Sequence, residues 1–407
     1  MAPSLAGVMK SYHVSQEAAL LTISLFVLGF GLGPFLAGPS SDVFGRRTVY
    51  IVTFASFTAW SWGASFAPNF ASLVVFRFLA GLSGASALNN HPASISDFAS
   101  RALTNRYTSL YALCAFGGAA LGPLIGGFIV ARTTGRWNVI IIAILVTVSF
   151  ALLVVGVDES CAPVLLARKN PHGTRQDGPS LATRYKRALL LPFKLLFTEL
   201  IVALVSAYLS LLYGLLYGFF AVFPIIYIEI RGWSEEGLAL SYIALTLGFV
   251  AGTLLIRYGQ DWAYRRATMN LPVGQKPPPD ARFAVLYWCS WTVPFGIFLI
   301  AFCSYKNTHW FGDVLGMFLF SLGTLVTFAG FIPFLVDLYL AQAASALAVA
   351  TAARAITACG FPLFSTQMYR TLGVPGASCL LAGMAIILTP MPFVFRYYRE
   401  RLWGHLL

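Results

Sequence analysis

Gly38-Pro39-Ser40-Ser41-Asp42-Val43-Phe44-Gly45-Arg46-Arg47 is a short polar stretch between two apolar runs of membrane length, 17–38 and 48–67. Its Gly-Pro pair is expected to break the first run, because proline removes a helical donor. Gly45 permits a sharp turn, and Gly38 permits two helices to approach closely. One carboxylate, Asp42, stands beside two guanidiniums, Arg46 and Arg47, which favour the cytoplasmic face. The same spacing returns in Asp261-Trp262-Ala263-Tyr264-Arg265-Arg266, again after an apolar run. A recurrence half a chain away predicts an internal duplication.

Composition settles the class. Of 407 residues, 58% are hydrophobic and 10% charged, with a mean hydropathy of +0.75. Soluble domains carry about 25% charge. So apolar a chain is an all-α, multi-pass membrane protein whose backbone groups must be satisfied within helices. The net charge of +12 is spread over the loops, which excludes a nucleic-acid face. Six scattered cysteines show no metal spacing. Met1–Ser15 lacks the basic start and apolar core of a cleavable leader. There is no phosphate-cradling loop, catalytic triad or zinc spacing, so neither ATP use nor an enzyme is expected, and no cofactor or metal.

Runs long enough to span fall at 17–38, 48–67, 71–93, 108–131, 137–157, 197–228, 236–257, 283–304, 311–337, 341–369 and 376–395. The basic stretch 158–196 reads as a cytoplasmic linker with a solvated surface, Asp158 and Glu159 included. It divides a bundle over 1–157 from a bundle over 197–407. With the Asp42 loop inside, 19 of the 27 Lys and Arg fall on the inner side, which fixes the orientation. The N-terminus is then outside and the C-terminus inside. Five spans precede the linker and six follow it. Aligning the two D-x-x-x-R-R loops leaves Phe197–Ile228 without a counterpart, as if a first helix were missing; a true eleven-span protein is the alternative.

In these features the chain resembles the major facilitator superfamily, and within it the fungal twelve-span drug:proton antiporters, polyamine and multidrug exporters above all. Besides the opening loop, Arg77-Phe78-Leu79-Ala80-Gly81 is similar to the family's helix-four R-F-x-x-G pattern. Gly122-Pro123-Leu124-Ile125-Gly126-Gly127 is similar to its helix-five antiporter pattern. Gly135-Arg136-Trp137, Pro279-Asp280-Ala281-Arg282-Phe283 and Gly360-Phe361-Pro362-Leu363-Phe364 follow in the family's order. The resemblance implies the two-bundle facilitator fold and proton-driven export of a small organic molecule by a monomer in the plasma membrane. From the count of runs the chain is expected to lack the family's first helix, and it has no carboxylate deep in a first-half span; Asp97 lies near a cytoplasmic end. A non-transporting remnant or interaction protein is the alternative.

The resemblance implies a latch of Gly38, Asp42, Gly45, Arg46 and Arg47, with Asp261, Arg265 and Arg266 as its repeat; simple topology-setting charge is the competing reading. Arg77, within a span, is expected to face the cavity and take part in proton coupling, or else to snorkel to the outer headgroups. Arg354 invites the same reading, unless Asp337 simply pairs with it. Gly122, Pro123, Gly126 and Gly127, with Gly118, would make a tight, kinked seam against the other half. Asn89, Asn90, Tyr213 and Tyr217 are candidate substrate contacts, with His91, Tyr208 and Phe220 nearby. Tyr213 and Tyr217 share a helix face that could stack a flat drug or attract a cationic amine.

Overall fold

The fold is seen in a computed structural model that describes residues 2–87, 94–95, 101–161, 164–166, 181–260, 262–263, 266, 269, 282–339 and 342–398. The helices are α1 (Leu5–Tyr12), α2 (Gln16–Phe44), α3 (Arg46–Ser65), α4 (Phe70–Gly84), α5 (Arg101–Arg132), α6 (Gly135–Gly156), α7 (Leu181–Thr198), α8 (Leu200–Pro224) and α9 (Glu235–Leu255). They continue with α10 (Leu286–Cys303), α11 (Phe311–Tyr339), α12 (Ala343–Leu388) and α13 (Met391–Tyr397). Among the described residues there is no strand. Nine helices there are long and apolar enough to cross a membrane. Arg46–Ser65, more polar, runs beside them, and Gly373 (φ 70°) splits the last apolar stretch in two. Each of the eleven expected spans therefore holds a helix over most of its described residues.

Three expectations are corrected. Gly38-Pro39 does not end the first run: α2 continues to Phe44 with Pro34 and Pro39 inside it. The break falls at Gly45, whose φ of 94° suits glycine. The linker is not all solvated surface, because α7 forms within it and packs on α2, α8 and α12. Leu195 is buried there, and Phe193 stacks on Phe35 at 5.9 Å. Glu159 is not a surface charge. Its carboxylate accepts the backbone N–H groups of Arg46 (2.9 Å) and Arg47 (3.2 Å), the open donors at the start of α3. A Cβ on Gly45 would collide with that carboxylate.

The duplication predicted from the loops is visible in the packing. In α2, Gly29 and Gly33 lie against the backbone of Phe78 and Leu82 in α4. In α9, Gly248 and Gly252 lie against the backbone of Phe318 and Leu322 in α11. The register that sets Asp42 on Asp261 also sets Gly29 on Gly248 and Gly33 on Gly252. Missing side chains thus admit backbone-to-backbone packing at matching places. Between the halves, α5 packs on α9 and α2 on α12.

Candidate functional site

Where α2 meets α12, Ile23, Val27, Ala355 and Ala358 form a small buried cluster, with Leu5, Phe26, Tyr213 and Tyr217 packed against it. Gly31 allows the contact: a Cβ there would overlap that of Ala355. Two arginines close on this cluster from opposite halves. Arg77 of α4 is 7% exposed; its Nε donates to the Thr22 carbonyl (3.2 Å), and its guanidinium lies 4.3 Å over the Phe26 ring. It points inward and does not snorkel to the rim. Arg354 of α12 is 8% exposed. It donates from Nε to the Ala350 carbonyl (3.2 Å) and from Nη2 to Thr351 Oγ1 (2.7 Å). Its guanidinium lies 5.1 Å from the Phe328 ring and 5.7 Å from that of Tyr213.

The aromatic groups join the two. Tyr213 and Tyr217 are 5.0 Å apart, ring to ring. Phe328 lies 6.1 Å from Tyr213 and 4.9 Å from Phe116 of α5. Phe220 touches Tyr217 at 5.7 Å. The site is therefore assembled by α2, α4 and α5 from one half and α8, α11 and α12 from the other. Helix spacing made Tyr213 and Tyr217 legible in sequence; nothing set Phe26, Phe116 or Phe328 apart from the other 31 phenylalanines. Tyr208 does not belong here. It is fully buried, edge-on to Phe331, with its hydroxyl 3.4 Å from Thr389 Oγ1.

The pairing of Arg354 with Asp337 is overturned: Asp337 binds Arg282 at 2.9 Å. The seam of α5 is also narrower than expected. Gly127 meets the other half, since a Cβ on it would stand 2.6 Å from that of Ala239. Gly126 faces Asn138, and Gly118 and Gly122 have nothing within 4 Å of a Cβ, so they make no tight contact. Pro123 is accommodated within α5. At the outer end of the same helix pair, Arg132 lies 3.5 Å from Glu236.

At the inner rim, Arg46 Nη1 donates to Ser41 Oγ (2.5 Å) and Arg47 Nη2 to the Val154 carbonyl (3.2 Å). Asp158 lies 3.8 Å from Arg47. Ser41 and Val154 belong to the amino-terminal half, and Asp158 stands at the start of the linker. Ser40 reaches Tyr185 of α7 (2.5 Å). Arg266 lies over Trp262 at 5.3 Å. Gly38 is half-buried near the end of α2. The Asp42 carboxylate, Asp261, Arg265, Asn89, Asn90 and His91 lie outside the described residues.

Sequence reasoning missed one buried pair. Arg231, just past α8, binds Asp313 at the start of α11 at 2.6 Å, both almost fully buried. The same guanidinium caps the carbonyls of Cys303 (2.6 Å) and Thr308 (3.0 Å), and Ser304 donates to Asp313 (3.0 Å). Opposite charges at the outer ends of neighbouring spans were the available signal.

A helical protein with pseudo-repeated halves and a polar–aromatic seam between them is built as a membrane transporter. Residues 1–362 match the profile of the Major Facilitator Superfamily, and the chain belongs to that family. It is 34% identical to "Efflux pump FUBT" of Fusarium oxysporum over 97% of this chain and 68% of that protein. It is 29% identical to "Probable drug/proton antiporter YHK8" of Saccharomyces cerevisiae, over 97% of this chain and 79% of that one. The fold is similar to that of the proton:xylose symporter XylE of E. coli, with a TM-score of 0.69 and 16% identity over 97% of this chain and 90% of XylE.

Proposed function

We propose that this chain is a secondary exporter of small organic molecules that works by alternating access in exchange for protons, as a monomer in the plasma membrane. The observation that carries the reading is the seam itself. Arg77, Phe26, Tyr217, Tyr213 and Arg354 form one connected group drawn from both halves. A ligand held there is reached from either face when the halves rock. Residues 1–157 and 197–407 are the moving units, joined through 158–196. Arg77 and Arg354 couple binding to protonation, Gly127 sets the closeness of the seam, and Asp42 with Arg46 and Arg47, repeated at Asp261, Arg265 and Arg266, latches the inner rim. The efflux names of the relatives support the direction of transport, and the antiporter name of one supports protons as the exchanged ion.

The test uses everted plasma-membrane vesicles from yeast expressing the full chain, with the charged naphthalenes below as probes and rhodamine 6G as a further, cationic probe. An acid-inside gradient is expected to drive uptake that a protonophore abolishes. Normal amounts of folded protein with no gradient-driven uptake of any of these probes would overturn the reading.

A further inference from the structure

Three arginines among the described residues are nearly buried, and they are not alike. Arg231 has a carboxylate and two carbonyls around it. Arg77 has a single acceptor, the Thr22 carbonyl, and Arg354 has two neutral ones. A guanidinium carries five N–H donors. Both Nη groups of Arg77 and Nη1 of Arg354 thus lack an acceptor among the described residues, and no described carboxylate is paired with either side chain. Burying a cation costs several kcal/mol even after relaxation. A cation–π contact returns only part of that cost. The two charges also flank one tyrosine pair and repel each other, so helix packing alone explains neither.

We infer that the ligand of this seam is an organic anion: a carboxylate or sulfonate on a flat apolar body. The anionic group takes the open N–H donors of Arg77 and Arg354, and the ring lies against Tyr213, Tyr217 and Phe328. Arginine suits the task because its planar fork matches two acceptor oxygens. The inference reverses the charge that the aromatic residues suggest by themselves. An aromatic box attracts amines, but two guanidiniums in the same box repel them. It rests on the seam being the transport site.

The probes are 1-naphthalenesulfonate, 1-naphthylmethylammonium and 1-naphthalenemethanol, which share a ring and differ in charge; the sulfonate stays ionised at any working pH. Thermal unfolding of the purified full chain in detergent reads binding without transport. The sulfonate is expected to raise Tm by several degrees, with no shift from the alcohol or the amine. Arg77→Gln and Arg354→Gln are each expected to weaken sulfonate binding at least tenfold, with partial recovery in Arg77→Lys and Arg354→Lys. An equal shift from the amine overturns the inference. So does sulfonate binding that survives both Gln changes, or a shift that sodium sulfate reproduces. If the Gln variants do not fold, the ranking of the three probes on the unaltered protein decides. Vesicle uptake separates the two readings. Gradient-driven uptake of the amine alone leaves export standing and removes the anion assignment. Arginine-dependent binding of the sulfonate without uptake of any probe keeps the assignment and removes export.

Discussion

Of the largest fully buried side chains among the described residues, ten lie after residue 196, from Tyr208 to Phe395, and one, Leu20, lies before it. The carboxy-terminal half is filled by one continuous core in which Phe331 meets Phe334 and Phe395 edge to face and Phe283 lies tilted against Phe331 and Phe334. The amino-terminal half has a small cluster around Val8, Ala19, Ala64, Leu73 and Val139. Its α6 turns only 17% of its most apolar stretch inward, against 72% for α11. Yet both halves repeat the same glycine contact between paired helices. Duplicated backbone geometry therefore does not require duplicated side-chain filling. Close helix approach conserves the frame, and bulk can be concentrated on one side of it.

That contrast can be broken by charge first. Asp313→Ala is expected to cost about 3–5 kcal/mol, since it leaves Arg231 buried and unpaired. Heating followed by size-exclusion chromatography should show a large loss of the monodisperse peak. Asp158→Ala, at a fully exposed carboxylate paired with Arg47 of the other half, should leave the peak unchanged. Equal losses would mean that the two halves are equally sensitive.

The next pair asks whether the repeated contact is equally important on both sides. Gly29→Ala and Gly248→Ala each push a methyl into a facing backbone, at a cost of about 1–3 kcal/mol. The denser half has less room to relax, so Gly248→Ala should lower the unfolding temperature more. The reverse order would contradict the packing difference.

Between the halves, Gly127→Ala is expected to slow vesicle uptake about tenfold, the effect of roughly 1.4 kcal/mol on a barrier, while Gly122→Ala, which meets open space, leaves uptake unaltered. A slow Gly122→Ala with a normal Gly127→Ala would relocate the seam. The smallest effect is at the inner rim. Glu159→Ala removes the carboxylate from the start of α3 and should cost about 1 kcal/mol, the size of a lost helix cap. Thermal unfolding unchanged by that substitution would show that its two hydrogen bonds contribute nothing.

The helices and their order were legible because a bilayer demands long apolar runs and gathers Arg and Lys on one side of them, and a chain with 10% charge carries both signals clearly. The end of the first run was misplaced, since Pro39 sits in a helix whose neighbours tolerate it, and the true break needed only Gly45. Arg77 and Arg354 stood out because a cation inside a span is rare. Their aromatic partners did not, because Phe26 and Phe328 are brought near them only by folding. Glu159 and α7 were missed for another reason: the basic composition of the linker hid an amphipathic pattern over Leu181–Thr198, whose Phe193 and Leu195 turn against the bundle.

The guanidiniums of Arg77 and Arg354 also make the seam an electrical device. A charge carried fully across the membrane exchanges about 2.3 kcal/mol with each 100 mV of potential. If the halves rock as proposed, two positive charges with no described carboxylate paired to them tilt the unloaded protein with voltage, whereas a counter-charge bound beside them cancels the tilt. Depolarising the cell would then alter the return stroke of the cycle and its loaded stroke unequally.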